Sequence, residues 1–203
     1  MHSSTIIEEI EYMRKAGLAS LAFFYCDFRE EGKTGLRGLI SSLLVQLCHQ
    51  SDPYYRVLFE FYSQNTEGLR SPSDNDLAER LKDLLRLPGL APMYLIVDAL
   101  DECSKTSDIP SPRSQVLNLI EELIKLRFQN LRICVTSRLE TDIKDVLGPL
   151  TPSYVSLHDE RGQKRDIEDY IKSVINTHPE NKSWSEGHKQ LVVNDLSRKA
   201  DGM

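Results

Sequence analysis

Apolar residues recur along the chain in two patterns, which predict buried strands and amphipathic helices in alternation. Runs without polar alternation occupy Leu18–Phe28, Pro92–Asp98 and Leu131–Val135. Such runs are typical of strands buried on both faces of a parallel sheet. A weaker run, Ser153–Leu157, predicts a fourth strand. Because strands alternate with helices, right-handed crossovers are implied, and the predicted fold class is α/β with a parallel sheet.

Helices are predicted wherever apolar residues return every three or four positions. The clearest spacing forms one continuous face and consists of Leu36, Leu39, Ile40, Leu43, Leu44 and Leu47. Other helices are predicted over residues 3–16, from Asp52 to near Gly68, from Ser73 to Leu85, over Val116–Ile124, through Ile143–Leu147, and around Ile167–Ile175 and Trp184–Lys199. Ser73 and Asp76 have the spacing of a capping box at the start of their helix.

The second predicted strand runs directly into three carboxylates, Asp98, Asp101 and Glu102. In an open α/β sheet, ligands bind just beyond the carboxyl ends of the strands. An apolar strand that ends in acids is the Walker B arrangement, in which the first Asp helps to hold Mg²⁺ and a later acid orients water. The alternative is an ordinary strand followed by a solvated acidic loop.

Thr136-Ser137-Arg138 follows the third predicted strand in the same way. Because parallel strands end at one edge of a sheet, Arg138 is expected close to the acids that follow Asp98. Its guanidinium would there stabilise a terminal phosphate through charge-assisted hydrogen bonds. The alternative is an arginine that only pairs with Asp98 or Asp101 on the surface.

Gly32-Lys33-Thr34 has the last three residues of a Walker A loop and lies between a predicted strand and a helix. The full pattern G-x-x-x-x-G-K-[ST] requires glycine five positions before Gly32, where this chain has Asp27. Glu30 and Glu31 would also repel phosphate groups from the loop. The segment therefore fits a phosphate loop poorly.

Composition narrows the class of protein. The 203 residues are 40% hydrophobic, enough for a core, and the net charge of −6 argues against general affinity for nucleic acid or anionic membranes. Four widely spaced cysteines are typical of reduced cytosolic thiols. No apolar run approaches the ~18 residues of a membrane span, and the N-terminus lacks a signal-peptide pattern. A cytoplasmic protein with neither nucleic acid nor membrane as partner is therefore predicted.

Several segments match the pattern of one known family. They are Phe23–Arg29 with Leu36–Leu44, Tyr94–Cys103, Cys134–Arg138 and Asp166–Ile171. Together they resemble the NACHT domain, a P-loop NTPase of the STAND class, in the form found in fungal NLR-like proteins and also called the nephrocystin-3-like N-terminal domain. Tyr94–Cys103 resembles the extended Walker B motif. Cys134–Arg138 resembles the sensor 1 strand, although Leu139 stands where proline is usual.

The resemblance implies a role for each residue at the strand ends. Asp98 would bind Mg²⁺ through water, and Asp101 or Glu102 would be the catalytic acid that polarises the attacking water. Thr136 and Arg138 would contact the bound nucleotide. The cofactor would be Mg²⁺ with ATP or GTP, and the domain would act as a signalling switch that associates with itself or with related NTPase domains.

The same resemblance places the start of the chain inside the helix that follows the Walker A loop. The family sheet has the strand order 5-1-4-3-2, so strand 1 and the phosphate loop would be missing. A three-layer sheet with helices on both faces and open strand edges is then expected. We expect residues 1–160 to be a partial nucleotide-binding core and residues 161–203 to be the truncated start of a following helical region.

The expected function is that of a partial NACHT-like STAND domain that retains Walker B and sensor 1 but neither binds nor hydrolyses nucleotide alone. Whether the chain is an enzyme stays open, because the family hydrolyses nucleotide and these residues lack its phosphate loop. One alternative is a non-catalytic module that pairs with related NTPase domains through open sheet edges. Another is an active enzyme that uses Gly32-Lys33-Thr34 as an unorthodox loop.

Overall fold

A computed structural model shows two compact units, Met1–Thr151 and Pro152–Met203. The boundary predicted after residue 160, between the nucleotide-binding core and the following helical region, is not tested by this division and stays a prediction. The residues that the structure describes are 2–65, 71–106, 110–155, 161–178, 180 and 184–200.

The first unit is built on a parallel sheet of three strands, β1 (Ser20–Tyr25), β2 (Met93–Asp98) and β3 (Leu131–Val135). Their order is β1-β2-β3, so β2 lies in the centre. Most of its side chains are buried, as its continuous apolar run predicts. The α/β class with a parallel sheet is therefore confirmed. The full strand order of the family is not tested by these three strands.

Helices connect and cover the strands at the predicted positions. Those of the first unit are α1 (His2–Lys15), α2 (Leu36–Cys48), α3 (Asp52–Gln64), α4 (Asp74–Arg86), α5 (Pro112–Lys125) and α6 (Thr141–Leu147). The second unit contains α7 (Arg161–Thr177) and α8 (Glu186–Ala200), which pack against each other. None of the helices in the described ranges combines the length and the apolar composition needed to cross a membrane.

The two faces of the sheet bury different side chains. Ala22, Leu95 and Val97 belong to the large core, which the apolar stripes of α2, α4 and α5 complete. On the opposite face Leu21 and Ile96 pack with Ile10 of α1. Side chains alternate between the faces along each strand, so one apolar run supplies both layers. Helices therefore lie on both faces of the sheet.

Short polar signals fix where the helices begin. Ser73 Oγ accepts a hydrogen bond from the Asp76 N–H, and the Asp76 carboxylate accepts one from the Ser73 N–H at 2.8 Å. This confirms the predicted capping box, which satisfies two backbone groups at the helix start. Ser111 caps α5 in a similar way, with its Oγ accepting from the Ser114 N–H at 3.2 Å. The helix start beside the candidate site is thereby set by one serine.

Two glutamines, Gln46 on α2 and Gln50 just after the end of that helix, cover the outer edge of β1. Gln46 accepts from the Phe23 N–H at 3.0 Å and donates to the Phe23 carbonyl at 2.7 Å. One turn later, Gln50 accepts from the Leu21 N–H at 2.9 Å and donates to the Leu21 carbonyl. A side-chain amide has the same donor and acceptor as a peptide group, so these glutamines replace a neighbouring strand. This edge is closed to strand pairing.

The other edge of the sheet is formed by β3, and no side chain of the kind that covers β1 closes it in the hydrogen bonds of the described residues. β3 pairs with β2 on one side, and within the described ranges no strand pairs with its other side. Its apolar residues Leu131, Ile133, Cys134 and Val135 are only partly buried. An edge strand of this kind is a template for pairing with another segment.

The predicted fourth strand is wrong over residues 153–155, which adopt no regular structure. Tyr154 and Val155 are exposed there, and no strand of the described chain pairs with them. An apolar pair without a neighbouring strand has no ladder to join, and β propensity alone does not form one. The last two residues of that prediction, 156 and 157, lie outside the described residues.

Candidate functional site

The ends of β2 and β3 are joined through Thr136. Its N–H donates to the Val97 carbonyl at 3.0 Å, and its carbonyl accepts from the Leu100 N–H at 2.9 Å. Its Oγ1 donates to Asp98 Oδ1 and accepts from the Ala99 N–H at 3.0 Å. Two predicted site residues, Asp98 and Thr136, are therefore in direct contact. The hydroxyl holds one carboxylate oxygen of Asp98 and leaves the other for a further ligand.

A strained turn follows Asp98. Ala99 has φ 54° and ψ 49°, the left-handed region that side chains other than glycine rarely adopt. The turn leads into a short 3₁₀ helix, Leu100–Glu102, whose first side chain is fully buried. A small residue after Asp98 tolerates this conformation at a cost of about 1–2 kcal/mol. The turn sharply redirects the chain where the strand ends, as is common at functional sites.

Asp101 and Arg138 meet at the same edge of the sheet. The Arg138 N–H donates to Asp101 Oδ1 at 2.9 Å, and Arg138 Nε lies 3.6 Å from Asp101 Oδ2. The Asp101 side chain is 11% exposed, whereas that of Arg138 is 86% exposed. Arg138 therefore pairs with the acid, as the surface alternative predicts. The hydrogen bond from the Arg138 backbone N–H keeps Asp101 beside Arg138. The guanidinium itself is exposed and can therefore reach a ligand.

Glu102 lies beside this pair. Both acids and Arg138 line a cleft of about 350 Å³, together with Phe28, Ser104 and Lys105. Opposite charges line the same space, so an anion would meet Arg138 and Lys105 while a cation would meet the two acids. The catalytic roles of Asp101 and Glu102 stay predictions, since this arrangement does not by itself distinguish them.

Arg113 holds this loop in place, and sequence reasoning missed it. It is 6% exposed; its Nε donates to the Cys103 carbonyl at 3.2 Å and its Nη2 to the Asp101 carbonyl. Nη1 lies 3.4 Å from Asp142 and 3.5 Å from Glu140, at the start of α6. The one side chain therefore ties the loop after β2 to the segment after β3.

A signal for Arg113 did exist in the sequence. It occupies the first turn of α5, where the helix dipole disfavours positive charge. An arginine in that position therefore indicates a partner outside the helix that stabilises its positive charge. The carboxylates that stabilise it, Glu140 and Asp142, lie more than twenty-five residues away and leave no local pattern.

Burial would raise the pKa of Asp142, but the positive charges of Arg113 and Lys105 outweigh it. They hold the pKa of this carboxyl below its ordinary value. Asp142 is therefore ionised at neutral pH and completes the anchor of Arg113.

Gly32-Lys33-Thr34 does not have the geometry of a phosphate loop. Lys33 Nζ lies 2.8 Å from Glu30 Oε2, so an acid already neutralises it. The Gly32 carbonyl oxygen lies only 1.8 Å from where a Cβ on Gly38 would stand. The loop thus turns a carbonyl toward the first turn of α2, whereas phosphate binding requires N–H groups there. Position 38 requires glycine, because the Cβ of any other residue would displace the backbone at Gly32.

Few protein side chains are available to bind a metal ion at the carboxyl ends of β2 and β3. Among the residues that the structure describes, no cluster of three or more histidines, cysteines or acids could hold an ion directly. Asp98 offers one oxygen beyond its bond to Thr136. Magnesium in nucleotide sites keeps several waters and takes few protein ligands. The residues present therefore fit Mg²⁺ held with a nucleotide and do not fit an independent metal site.

Two comparisons with known proteins find matches to this chain. A family model described as Nephrocystin 3, N-terminal matches residues 1–138. The vegetative incompatibility protein HET-E-1 of Podospora anserina is 32% identical over 154 residues, which cover 72% of this chain and 10% of that protein. The chain thus spans about a tenth of the length of this relative. Both matches confirm the resemblance to the nephrocystin-3-like, NACHT-related N-terminal domains of NLR-like proteins.

Proposed function

The chain belongs to the nephrocystin-3 N-terminal family, an NLR-like and NACHT-related group, and from this membership we propose that it supplies half of a nucleotide site. The half in question is Walker B and sensor 1 of a cytoplasmic STAND-type signalling switch. One observation carries the proposal: Thr136 joins the strand ends directly to Asp98, with Asp101 and Arg138 paired beside them. The ends of β2 and β3 thus meet at one edge of the sheet, where α/β proteins bind ligands, and this supports the proposal.

Each residue has a role in this proposal. Asp98 holds Mg²⁺ through water with its remaining oxygen, and Thr136 keeps that carboxylate oriented. Asp101 or Glu102 orients the attacking water, and Arg138 with Thr136 contacts the phosphates of ATP or GTP. The bound metal would supply charge neutralisation for the phosphates.

The sheet agrees with the family order if β1, β2 and β3 take positions 2, 3 and 4 of 5-1-4-3-2. The open side of β3 then faces the position of strand 1, and the glutamine-covered side of β1 is a true outer edge. In this proposal residues 1–160 belong to the nucleotide-binding core and residues 161–203 to the helical region that follows.

Phosphate binding is the function that residues 1–203 lack on their own. No G-x-x-x-x-G-K-[ST] pattern occurs among them, and Lys33 is paired with Glu30. Backbone N–H groups and a helix start supply most of the binding energy for phosphates in such sites. The Walker B and sensor residues alone contact only a small part of a nucleotide and are therefore expected to bind it weakly.

Calorimetric titration of Mg·ATP and Mg·GTP tests this proposal. Residues 1–203 alone are expected to show no binding at micromolar concentrations, for want of a phosphate cradle. Joining a strand and G-x-x-x-x-G-K-[ST] loop from a family member ahead of His2 is expected to give micromolar binding. The same graft with alanine at the loop lysine is the matched control. Micromolar binding by the 203 residues alone would refute the proposal.

A second function, association with a related NTPase domain or with another copy, is favoured by the contrast between the two sheet edges. Two glutamines cover β1, whereas the open side of β3 keeps partly buried apolar residues. A strand from a partner would pair with β3 and bury that side of the sheet.

Sedimentation over a range of concentrations tests this association. We expect residues 1–203 to associate with an intact family member, because the open edge of β3 pairs backbone groups. Ile133→Pro removes one β3 N–H and is expected to weaken association. Leu21→Pro on the covered edge is the control, and both variants must first be shown to be folded. Equal association by the Ile133→Pro variant and the original chain would exclude β3 as the contact.

A further inference from the structure

Two buried cysteines meet behind the strand-end loop. Cys26 follows β1 directly, and Cys103 follows the 3₁₀ helix Leu100–Glu102. Their Sγ atoms lie 3.2 Å apart, and the residues are 4% and 1% exposed. Both thiols are free. No other function on this chain uses the pair, which is separated by 77 positions in sequence.

The backbone holds both cysteines at this separation. The Cys26 N–H donates to the Asp98 carbonyl at 3.0 Å, and the Cys103 N–H donates to the Leu100 carbonyl at 3.1 Å. Arg113 Nε donates to the Cys103 carbonyl at 3.2 Å. A disulfide bond is about 2.05 Å long, so the two sulfur atoms need to approach by only about 1 Å.

The two thiols differ in acidity. The hydrogen bond with Cys26 lowers the pKa of Cys103, and the charge of Arg113 adds to this effect, while burial opposes it. The hydrogen bond with Cys103 raises the pKa of Cys26, and burial adds to the increase. Cys103 is also among the residues that line the cleft with Lys105 and Arg113, although it is only 1% exposed. Because its pKa is the lower of the two, Cys103 is the thiol that takes the attacking role.

We propose that Cys26 and Cys103 form a disulfide site for oxidation by a peroxide. The Cys103 thiolate attacks one peroxide oxygen, the O–O bond breaks, and a sulfenic acid and hydroxide result. The Cys26 sulfur then attacks the sulfenic sulfur, forming the S–S bond and breaking the S–O bond. The Cys26 proton leaves with the second hydroxide as water, and the first hydroxide becomes water by taking up the proton that the Cys103 thiol released. Two thiols and one peroxide thus give one disulfide and two waters, and the sulfurs lose two electrons.

The disulfide ties the loop that carries Asp101 and Glu102 to the end of β1. It also closes a long loop in the unfolded chain, which stabilises the folded state against denaturant. The inference stands on the cysteine pair alone and holds whether or not the chain binds nucleotide. Oxidation is expected to slow hydrogen exchange in residues 99–103, because the loop loses its freedom to open.

Mass spectrometry after hydrogen peroxide treatment tests the site on the original chain. We expect a reversible cross-link between the peptides that contain Cys26 and Cys103, with monomeric protein and a higher midpoint of urea unfolding. Dithiothreitol is expected to reverse both changes. Free thiols at both positions after treatment, or a link between two chains, would overturn the proposal.

Two double variants are the matched controls. Cys48→Ala with Cys134→Ala keeps only the proposed pair and is expected to lose both of its thiols to peroxide. Cys26→Ala with Cys103→Ala keeps the other two cysteines, which are partly buried and outside this contact. That variant is expected to show neither the cross-link nor the rise in urea midpoint. A rise in urea midpoint in this variant as large as that of the original chain would contradict the assignment.

Discussion

Replacing Arg113 with methionine is expected to lower the free energy of unfolding by about 1–3 kcal/mol, the usual cost of leaving a buried polar group without its hydrogen-bond partner. The side chain donates to the carbonyls of Cys103 and Asp101. It also lies within 3.5 Å of Glu140 and Asp142. Methionine keeps much of the apolar volume and leaves these acceptors without their donor. Urea unfolding followed by circular dichroism measures the loss.

The same variant is expected to change the acid dependence of stability. In the original chain the pKa of Asp142 is below its ordinary value, so its contribution is present above about pH 4. That contribution is lost as the pH falls through the lower folded-state pKa. Without Arg113, one of the charges that lower the pKa of Asp142 is gone, while Lys105 remains, so the loss of stability on acidification is expected to shrink. An unchanged pH profile in the Arg113→Met variant would contradict the electrostatic role.

Arg86→Met is the matched control for Arg113. Arg86 makes a salt bridge of 3.0 Å to Asp83 on the surface, and its side chain is 49% exposed. Exposed pairs of this kind contribute about 0–1 kcal/mol, so little loss of stability is expected. Equal losses in the two arginine variants would show that Arg113 does not anchor the loop.

The strands and helices of the first unit were predictable because their apolar residues follow the period of each element. β2 is the clearest case, since burial on both faces requires a run without polar alternation. The Ser73–Asp76 capping box was equally local and is confirmed. The sequence predicted that Asp98 and Thr136 lie near each other, because the carboxyl ends of parallel strands share one edge of the sheet. It did not predict the hydrogen bond between their side chains.

The contacts that hold the candidate site together could not be predicted in the same way. Arg113 and Asp142 are far apart in sequence, as are Cys26 and Cys103. Gln46 resembles any polar residue on a helix until the edge of β1 is placed beside it. These pairings depend on tertiary packing, which propensity and periodicity do not encode. The strand predicted over residues 153–155 failed for the related reason that no neighbouring strand pairs with it within the described chain.

Replacing Asp98 with asparagine is expected to weaken Mg²⁺-dependent nucleotide binding by about 10- to 100-fold, the range seen when outer-shell partners of a metal are lost. The measurement uses the chain that carries the grafted upstream strand and phosphate loop. Asparagine keeps an oxygen that accepts from Thr136, so the turn after β2 is expected to stay intact. The change removes the negative charge that holds the metal and its waters.

Asp145→Asn is the control for this substitution. Asp145 is exposed on α6, and its replacement changes the net charge by the same amount. Its effect on nucleotide affinity is expected to be small, because exposed charges are screened by salt. Titrations in chelator without Mg²⁺ separate metal-dependent binding from any general loss of affinity.

The most direct measurement is therefore calorimetric titration of ATP into the grafted chain, its Asp98→Asn variant and its Asp145→Asn variant, each in Mg²⁺ and in chelator. We expect that Asp98→Asn alone loses the Mg²⁺-dependent part of the affinity, while all three chains bind alike in chelator. Equal Mg²⁺ dependence in the Asp98→Asn variant and the unsubstituted graft would contradict the assignment of β2 as a Walker B strand.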